Sequence, residues 1–346
     1  MKKRWLSIFI GLVISVVALA FLFRRDLGDV RDELAHARYW TVLPCIALSV
    51  AGLWLRGLRW RALLDDRISV RHSFHILNVS YFVNGVLPLR VGELARAVLA
   101  ARIDPPVNVL TSLSTIVVER LLDTLAVFVL IGLTLVLLPV GLEIGLAGAL
   151  LGVGTVIGVV VLAAFAARPD WAHGLLDFFE RLLKPLRRLP LHNWLDHFLA
   201  GLRPFAVPRL AWRAVWWTAA GWTMSVAAGF VLLYAMFDEP TWTASMAMVA
   251  LASFAIAVPA VPGNLGPFEA AIVFGLAGAE LADSTSDPRA VAFALLLHAV
   301  NLVTYIIMGL IGLWAEDVSL GEITQAVRVF RSQEEQGQSA PLQGEL

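Results

Sequence analysis

Asn84-Gly85-Val86-Leu87-Pro88-Leu89-Arg90-Val91-Gly92-Glu93-Leu94-Ala95-Arg96 interrupts a long apolar stretch with a proline, two glycines and three charges. Val258-Pro259-Ala260-Val261-Pro262-Gly263-Asn264-Leu265-Gly266-Pro267-Phe268-Glu269 breaks a second apolar stretch in the other half of the chain. An offset of 174 residues lays Pro262 on Pro88 and Gly266 on Gly92. Proline has no backbone N–H to donate and cannot sit inside a regular helix, so each segment is expected to be helix, break, helix. Most of the arms, about 74 to 87, 91 to 101, 243 to 258 and 267 to 281, are too short to cross roughly 30 Å of hydrocarbon. Paired interrupted segments in corresponding halves point to a ligand site near the midplane, because broken helices leave backbone dipoles facing it.

The surrounding composition makes this an integral membrane chain. Hydrophobic residues are 59% of the total and charged residues 16%, with a mean hydropathy of +0.76, outside the range of soluble domains. Six runs are long enough for membrane helices, near 5–23, 41–60, 111–138, 141–167, 211–237 and 290–314. The first follows Lys2, Lys3 and Arg4 and runs on through Phe21, Leu22 and Phe23, which favours an uncleaved anchor over a signal peptide cut after Ala20. Cys45 is the single cysteine, so no intramolecular disulfide can form. Lysine plus arginine balance aspartate plus glutamate, 27 each, and no basic tail suggests nucleic acid.

Charge placement orients the chain. Lys2, Lys3 and Arg4, then Arg56, Arg59, Arg61, Arg67 and Arg71, then a dense set from Arg168 to Arg213 read as cytoplasmic, which puts both termini on the cytoplasmic side of an inner membrane. Asp238, Glu239, Glu280, Asp283 and Asp287 mark the outer side; the loop from Arg24 to Arg38, with four arginines among four acids, dissents. The 174-residue offset also carries the second and third spans onto the fifth and sixth. Three crossings separate equivalent spans, so the halves would have opposite orientations. The expected fold is therefore all-α: a polytopic membrane protein of about six transmembrane helices plus two re-entrant helical hairpins in an inverted-topology repeat.

The parts divide at recognisable boundaries. Residues 1–40 form an anchor helix and outer loop, 41–138 the first repeat, 139–210 a linking span with an interfacial segment, 211–316 the second repeat, and 317–346 a polar cytoplasmic tail expected to be disordered. In the linking part Leu175, Leu176, Phe179, Leu182, Leu183 and Leu186 recur at helical spacing beside Arg181, Lys184, Arg187 and Arg188, the pattern of a helix lying in the interface.

Charged side chains at membrane depth are costly and face protein or water. Arg90, Glu93 and Arg96 follow one another at i,i+3 steps in the first break. They can form a phosphate site, with Asn84 as a neutral donor, since arginine's planar fork suits phosphate oxygens. Alternatively Glu93 pairs with Arg90 or Arg96 to hold the hairpin. Glu119, Arg120 and Asp123 share a face of the third span. That trio can hold phosphate through Arg120 and shuttle a proton through an acid, or form a self-neutralised packing group. In the second break, beside Asn264, Gly266-Pro267-Phe268-Glu269 fits a helix start with glycine at N-cap, proline at N1 and glutamate at N3. Glu269 thus caps a helix or couples protons. His298, with Asn301 and Tyr305 a turn apart, gives the last span a polar stripe for helix contacts or proton relay.

No zinc-protease, nucleophile-elbow, P-loop or dinucleotide motif is present, and no metal or cofactor is expected. Asn84 through Pro88, Arg90-x-Gly92-Glu93-x-x-Arg96, Glu119-Arg120-x-x-Asp123 and Pro262-Gly263-x-x-Gly266-x-x-Glu269, taken in order, resemble the flippase-like membrane family that includes the transmembrane region of lysylphosphatidylglycerol synthase. The resemblance implies movement of a lipid between leaflets, without the cytoplasmic aminoacylating domain, for which the stretch after Glu316 is too short. The resulting expectation is translocation of an anionic lipid, a phospholipid or polyprenyl-phosphate carrier. Arg90, Arg96, Arg120, Asn84 and Asn264 would bind it, and Glu93, Glu119, Asp123, Glu269 and His298 would shape the site or couple ions. The translocating unit would act alone or beside a separately encoded lipid-modifying enzyme. The rival expectations are an intramembrane enzyme acting on a headgroup and an accessory subunit.

Overall fold

The structure, a computed structural model, describes residues 27–86, 91–138, 142–182, 191–192, 195–196, 199, 207–257 and 264–335. The expected first span, Pro88, Arg90 and Pro259 to Gly263 lie outside the described residues.

The chain is helical throughout its main elements. A short helix α1 (Leu27–Ala35) precedes α2 (Val42–Leu63), α3 (Val70–Val86), α4 (Val91–Ala100), α5 (Val109–Leu137), α6 (Leu142–Ala167) and α7 (Pro169–Leu182). Then come α8 (Pro208–Leu233), α9 (Trp242–Ala257), α10 (Pro267–Gly278), α11 (Pro288–Ala315) and α12 (Leu320–Glu335). Among the described residues four helices are long and apolar enough to cross a membrane: Tyr39–Leu63, Thr111–Leu137, Pro208–Leu233 and Pro288–Ala315. The bent pair Val153–Ala167 and Pro169–Leu182 makes a fifth if the two count as one span. These account for four of the six expected runs, or five with the bent pair counted as one span. Exposed Tyr39, Trp40 and Trp242 at one end of the bundle, and Trp212 and Trp314 at the other, are the belts expected of a membrane protein.

Helix α8 runs antiparallel to α2, as the contacts show: Arg56 meets Ser225, Arg59 meets Thr218 and Asp66 meets Arg213. At one end the Arg38 N–H donates to Ala235 O at 3.0 Å and the Arg38 guanidinium pairs with Asp238. At the other end Asp66 binds Arg213, and His72 at the start of α3 meets Glu316 just past α11 at 2.8 Å. Helices α3 and α4 pack as a hairpin entering from this second end. Helices α9 and α10 pack as a hairpin entering from the first, where Trp242 stacks on Phe230 with centroids 4.0 Å apart. Each hairpin tip reaches part-way along a long helix of the other half. A Cβ at Gly85 would lie 3.9 Å from Leu302 of α11, and Phe254 meets Phe128 of α5 at 5.8 Å.

The packing partners of the two halves correspond. Helix α2 packs on α3 as α8 on α9, α4 on α5 as α10 on α11, α3 on α11 as α9 on α5, and α2 on α11 as α8 on α5. The main apolar core joins α8 to α11 around Leu232, Met248, Ile272 and Phe293, and a second core joins α2, α3 and α4 around Trp60, Ile76 and Leu99.

Three expectations are corrected or sharpened. The tail is helical over Leu320–Glu335, and Ile323 and Val327 are buried in the second core. Its start carries a capping box, Ser319 N–H to Glu322 Oε2 at 3.0 Å and Glu322 N–H to Ser319 Oγ at 3.2 Å. An apolar pair at i,i+4 plus that cap is enough to dock an otherwise polar helix. The segment expected to be the outer loop contains α1, whose Val30 inserts into the main core. The segment expected to lie in the interface is helical over α7, bent by 106° from Val153–Ala167 at Pro169, with Trp171, Leu175, Phe178, Phe179 and Leu182 exposed on it, while Leu183 to Arg188 lie outside the described residues.

The Asp66 anchor makes a pH prediction. Arg213 Nη1 and Nη2 donate to the two Asp66 oxygens at 2.7 and 2.9 Å, and Arg61 Nη1 lies 3.2 Å away. The hydrogen bonds from Arg213 hold the Asp66 carboxyl below its ordinary 3.8. A depressed carboxylate contributes stability above its unfolded pKa and loses it as pH falls through the folded one. Asp66→Asn therefore lowers the melting temperature at pH 7 by about 2 °C. Melting curves in detergent at a series of pH values should show the gap to wild type closing below about pH 4.

Candidate functional site

Where α2, α4, α5 and α8 meet, four charged side chains alternate in sign. Arg59 Nη1 and Nη2 donate to Asp123 Oδ1 and Oδ2 at 2.6 and 3.2 Å, a bidentate pair. Arg59 Nη2 also lies 4.0 Å from Glu119 Oε2, which accepts from Arg96 Nη2 at 2.7 Å. Arg59, Arg96 and Glu119 are buried. Trp222 Nε1 donates to Asp123 Oδ1 at 3.1 Å, and the Arg96 guanidinium lies over the Trp60 ring, 4.7 Å from its centroid. The group is electrically balanced, two cations against two anions, which is the condition for holding charges in an apolar bundle. It ties four helices from both halves to one another.

A second pair sits beside it. Arg120 Nη2 donates to Glu93 Oε1 at 2.6 Å, and the Arg120 side chain is 50% exposed. Residues Glu119, Arg120 and Asp123 do share one helix, but they do not neutralise one another: each takes its partner from a neighbouring helix. Glu93 likewise pairs with Arg120 across helices instead of with Arg96 on its own.

Among the described residues, Arg96, Arg120 and Asn84 of the expected headgroup ligands already have partners. Arg96 is consumed by Glu119 and Trp60. Asn84 Oδ1 accepts the Gly92 N–H at 2.8 Å, so this side chain caps the start of α4. Asn264 has φ of 57° and shapes the left-handed turn before α10, a conformation that asparagine tolerates. Glu269, fully buried, accepts the Gly266 N–H through Oε2 at 2.7 Å, the N3 glutamate of the expected helix start, while its other oxygen hydrogen-bonds His298 Nδ1. The cap and the bridge to α11 coexist on one carboxylate. Gly266 itself has φ of 95°, which explains a glycine at this N-cap.

Asn301 and Tyr305, which share a stripe with His298 in the sequence, face a different place. They line a cavity of about 140 Å³ among α2, α8, α9, α10 and α11 together with Arg56, Trp222, Ser225 and Ser253. Arg56 Nη2 donates to Ser225 Oγ at 2.8 Å. The charge count along the sequence assigns Arg56 and Arg59 to topology. Their signal was spacing: two arginines three apart, inside a run long enough to span, face protein on the same side of the helix. Beside α7, His192 Nε2 lies 3.3 Å from Asp177 Oδ1 and 3.7 Å from Glu180 Oε1, a partly exposed group whose ligand atoms lie within 4.8 Å of one another.

The profile of the lysylphosphatidylglycerol synthase TM region matches residues 8–309. The chain belongs to that family. The match takes in both hairpins, the charged cluster and the cavity, so all of them are parts of the family's membrane region. No curated protein and no solved structure matches the chain.

Proposed function

We propose that the protein moves an anionic lipid, a phospholipid or a polyprenyl-phosphate carrier, between the leaflets of an inner membrane. The observation that carries this reading is the pair of short hairpins entering from opposite ends of the bundle, with a cavity between the two halves whose largely apolar wall carries Arg56, Ser225, Asn301 and Tyr305. In a bilayer such hairpins would be re-entrant, and the antiparallel α2 and α8 would be equivalent spans of an inverted repeat with six crossings and both termini inside. Two packings of such halves can expose a central site to either leaflet in turn. The headgroup would cross through the polar path while its tails stay among lipid.

The buried Arg59–Asp123 and Arg96–Glu119 pairs serve in this scheme as the fixed frame, and the Glu93–Arg120 pair as the adjustable contact beside the first hairpin's short arm. The path transports without chemical change to the lipid, and a separately encoded enzyme supplies or modifies its cargo.

Reconstitution into liposomes tests the proposal. Headgroup-labelled anionic lipids should become accessible in the opposite leaflet more than about tenfold faster than in protein-free vesicles, as expected for a barrier lowered by at least 1.4 kcal/mol. Rates equal to protein-free vesicles for every anionic lipid, or a chemically altered lipid product, would overturn it.

A further inference from the structure

We infer that the cavity among α2, α8, α9 and α11 is an anion site in which Arg56 holds one phosphate group, the ligand being a singly charged phosphodiester. Among the described lining residues Arg56 is the one charged side chain, and none is acidic. Among the described residues no carboxylate lies within ion-pair distance of Arg56, and its guanidinium donates to the neutral Ser225 hydroxyl. Every other arginine of the cluster beside it is matched by an acid: Arg59 by Asp123, Arg96 by Glu119, Arg120 by Glu93. Asp123 is not among the lining residues, and its oxygens already accept from Arg59 and from Nε1 of Trp222, a residue that does line the space.

The site is shaped around this one side chain. Residues Gly52 and Gly221 flank it: a Cβ at Gly52 would lie 3.1 Å from Arg56 Nη1 and one at Gly221 3.7 Å from Arg56 Cγ. Ser49, Ser225, Ser253, Asn301 and Tyr305 add neutral hydroxyl and amide groups around it. A guanidinium with unfilled donors, small neighbours and convergent neutral donors suits phosphate oxygens. Net charge selects among phosphates, since a single cation balances a monoanionic diester better than a dianionic monoester. Size selects as well. At about 140 Å³ the cavity is well below the roughly 300–1,000 Å³ that encloses a whole drug-sized molecule. It admits a headgroup and leaves acyl chains outside.

The source of the phosphate, lipid or free ion, rests on the translocation reading, whereas the binding itself does not. The test is titration of the full chain in detergent with dihexanoyl phosphatidylglycerol, with dihexanoylglycerol as the phosphate-free match and inorganic phosphate as competitor. Wild type should bind the phospholipid at least about tenfold more tightly than the neutral lipid, and Arg56→Gln should remove that preference. Arg56→Lys should retain part of it, and Ser225→Ala, which leaves the cation in place, should weaken binding about threefold. Melting curves check that each variant is folded. Inorganic phosphate displacing the lipid at equal molar potency would overturn the assignment of a phosphodiester ligand and identify the free ion in its place. Undiminished preference in folded Arg56→Gln, or no preference in wild type, would overturn the inference. In proteoliposomes the two readings separate: an intact site without leaflet exchange removes translocation alone, and exchange with no effect of Arg56→Gln on binding removes the site alone.

Discussion

Arg59→Met should destabilise the protein by about 3–5 kcal/mol, the cost typical of breaking a buried ion pair by removing one partner. Arg59 is buried and is the bidentate partner of Asp123, with Glu119 at 4.0 Å. Its removal leaves two carboxylates facing a single remaining cation, Arg96, in an apolar bundle. The pair as such is worth far less than the penalty for halving it, because both charges were desolvated to form it. Arg59→Met combined with Asp123→Asn should therefore recover most of the loss: charge balance returns with Arg96 and Glu119, and the asparagine oxygen still accepts from Trp222 Nε1. Equilibrium unfolding in mixed micelles, read as a double-mutant cycle, measures the coupling. A double variant as unstable as the sum of the single ones would show that packing, not charge balance, is what Arg59 supplies.

Gly92→Val and Gly275→Val should each disrupt the hairpin in which they sit. A Cβ at Gly92 would lie 2.1 Å from Ser80 O and 2.7 Å from Asn84 Oδ1, and one at Gly275 would lie 2.5 Å from Met248 Cα and 2.7 Å from Met248 N. The blocking atoms are mostly backbone, so a rotamer change cannot relieve them. Overpacking a core costs about 1–3 kcal/mol when side chains can shift, and here a helix has to move. At Gly92 the displacement also removes the Asn84 cap on the same N–H. Gly158→Ala in α6 is the control, since nothing within 4 Å meets a Cβ there. It should be neutral or stabilising through helix propensity, by up to about 1 kcal/mol. Thermal melting of the three purified variants decides the matter: loss of cooperative unfolding is expected for the first two alone. Wild-type melting in Gly92→Val would mean that the short arm is not packed as described.

The equivalence of Gly92 and Gly266 in the sequence alignment of the halves does not survive as an equivalence of roles. Gly92 allows two helices to touch, whereas Gly266 turns the backbone through a positive φ before α10. The structural counterpart of Gly92, by what it permits, is Gly275, which no offset of the breaks indicates. Similarly Glu119, Arg120 and Asp123 are legible as a charged face of one helix, but their partners Arg59, Arg96 and Glu93 come from two other helices. Periodicity reports which residues share a face and is silent on what that face meets.

The amino-acid sequence by itself determined that this is a helical membrane protein, where its helices break, and that charges cluster at the first break and in α5. Apolar run length, proline placement and the expense of charge in hydrocarbon are local or one-dimensional facts, so one chain suffices to read them. Only the tertiary structure decided which charges cancel and which stays open. Arg56 and Arg59 lie one turn apart on α2, yet one faces Asp123 of α5 and the other a cavity with no acid in its wall. That difference depends on how α5, α8 and α9 close around α2, a long-range packing outcome that no spacing within α2 encodes.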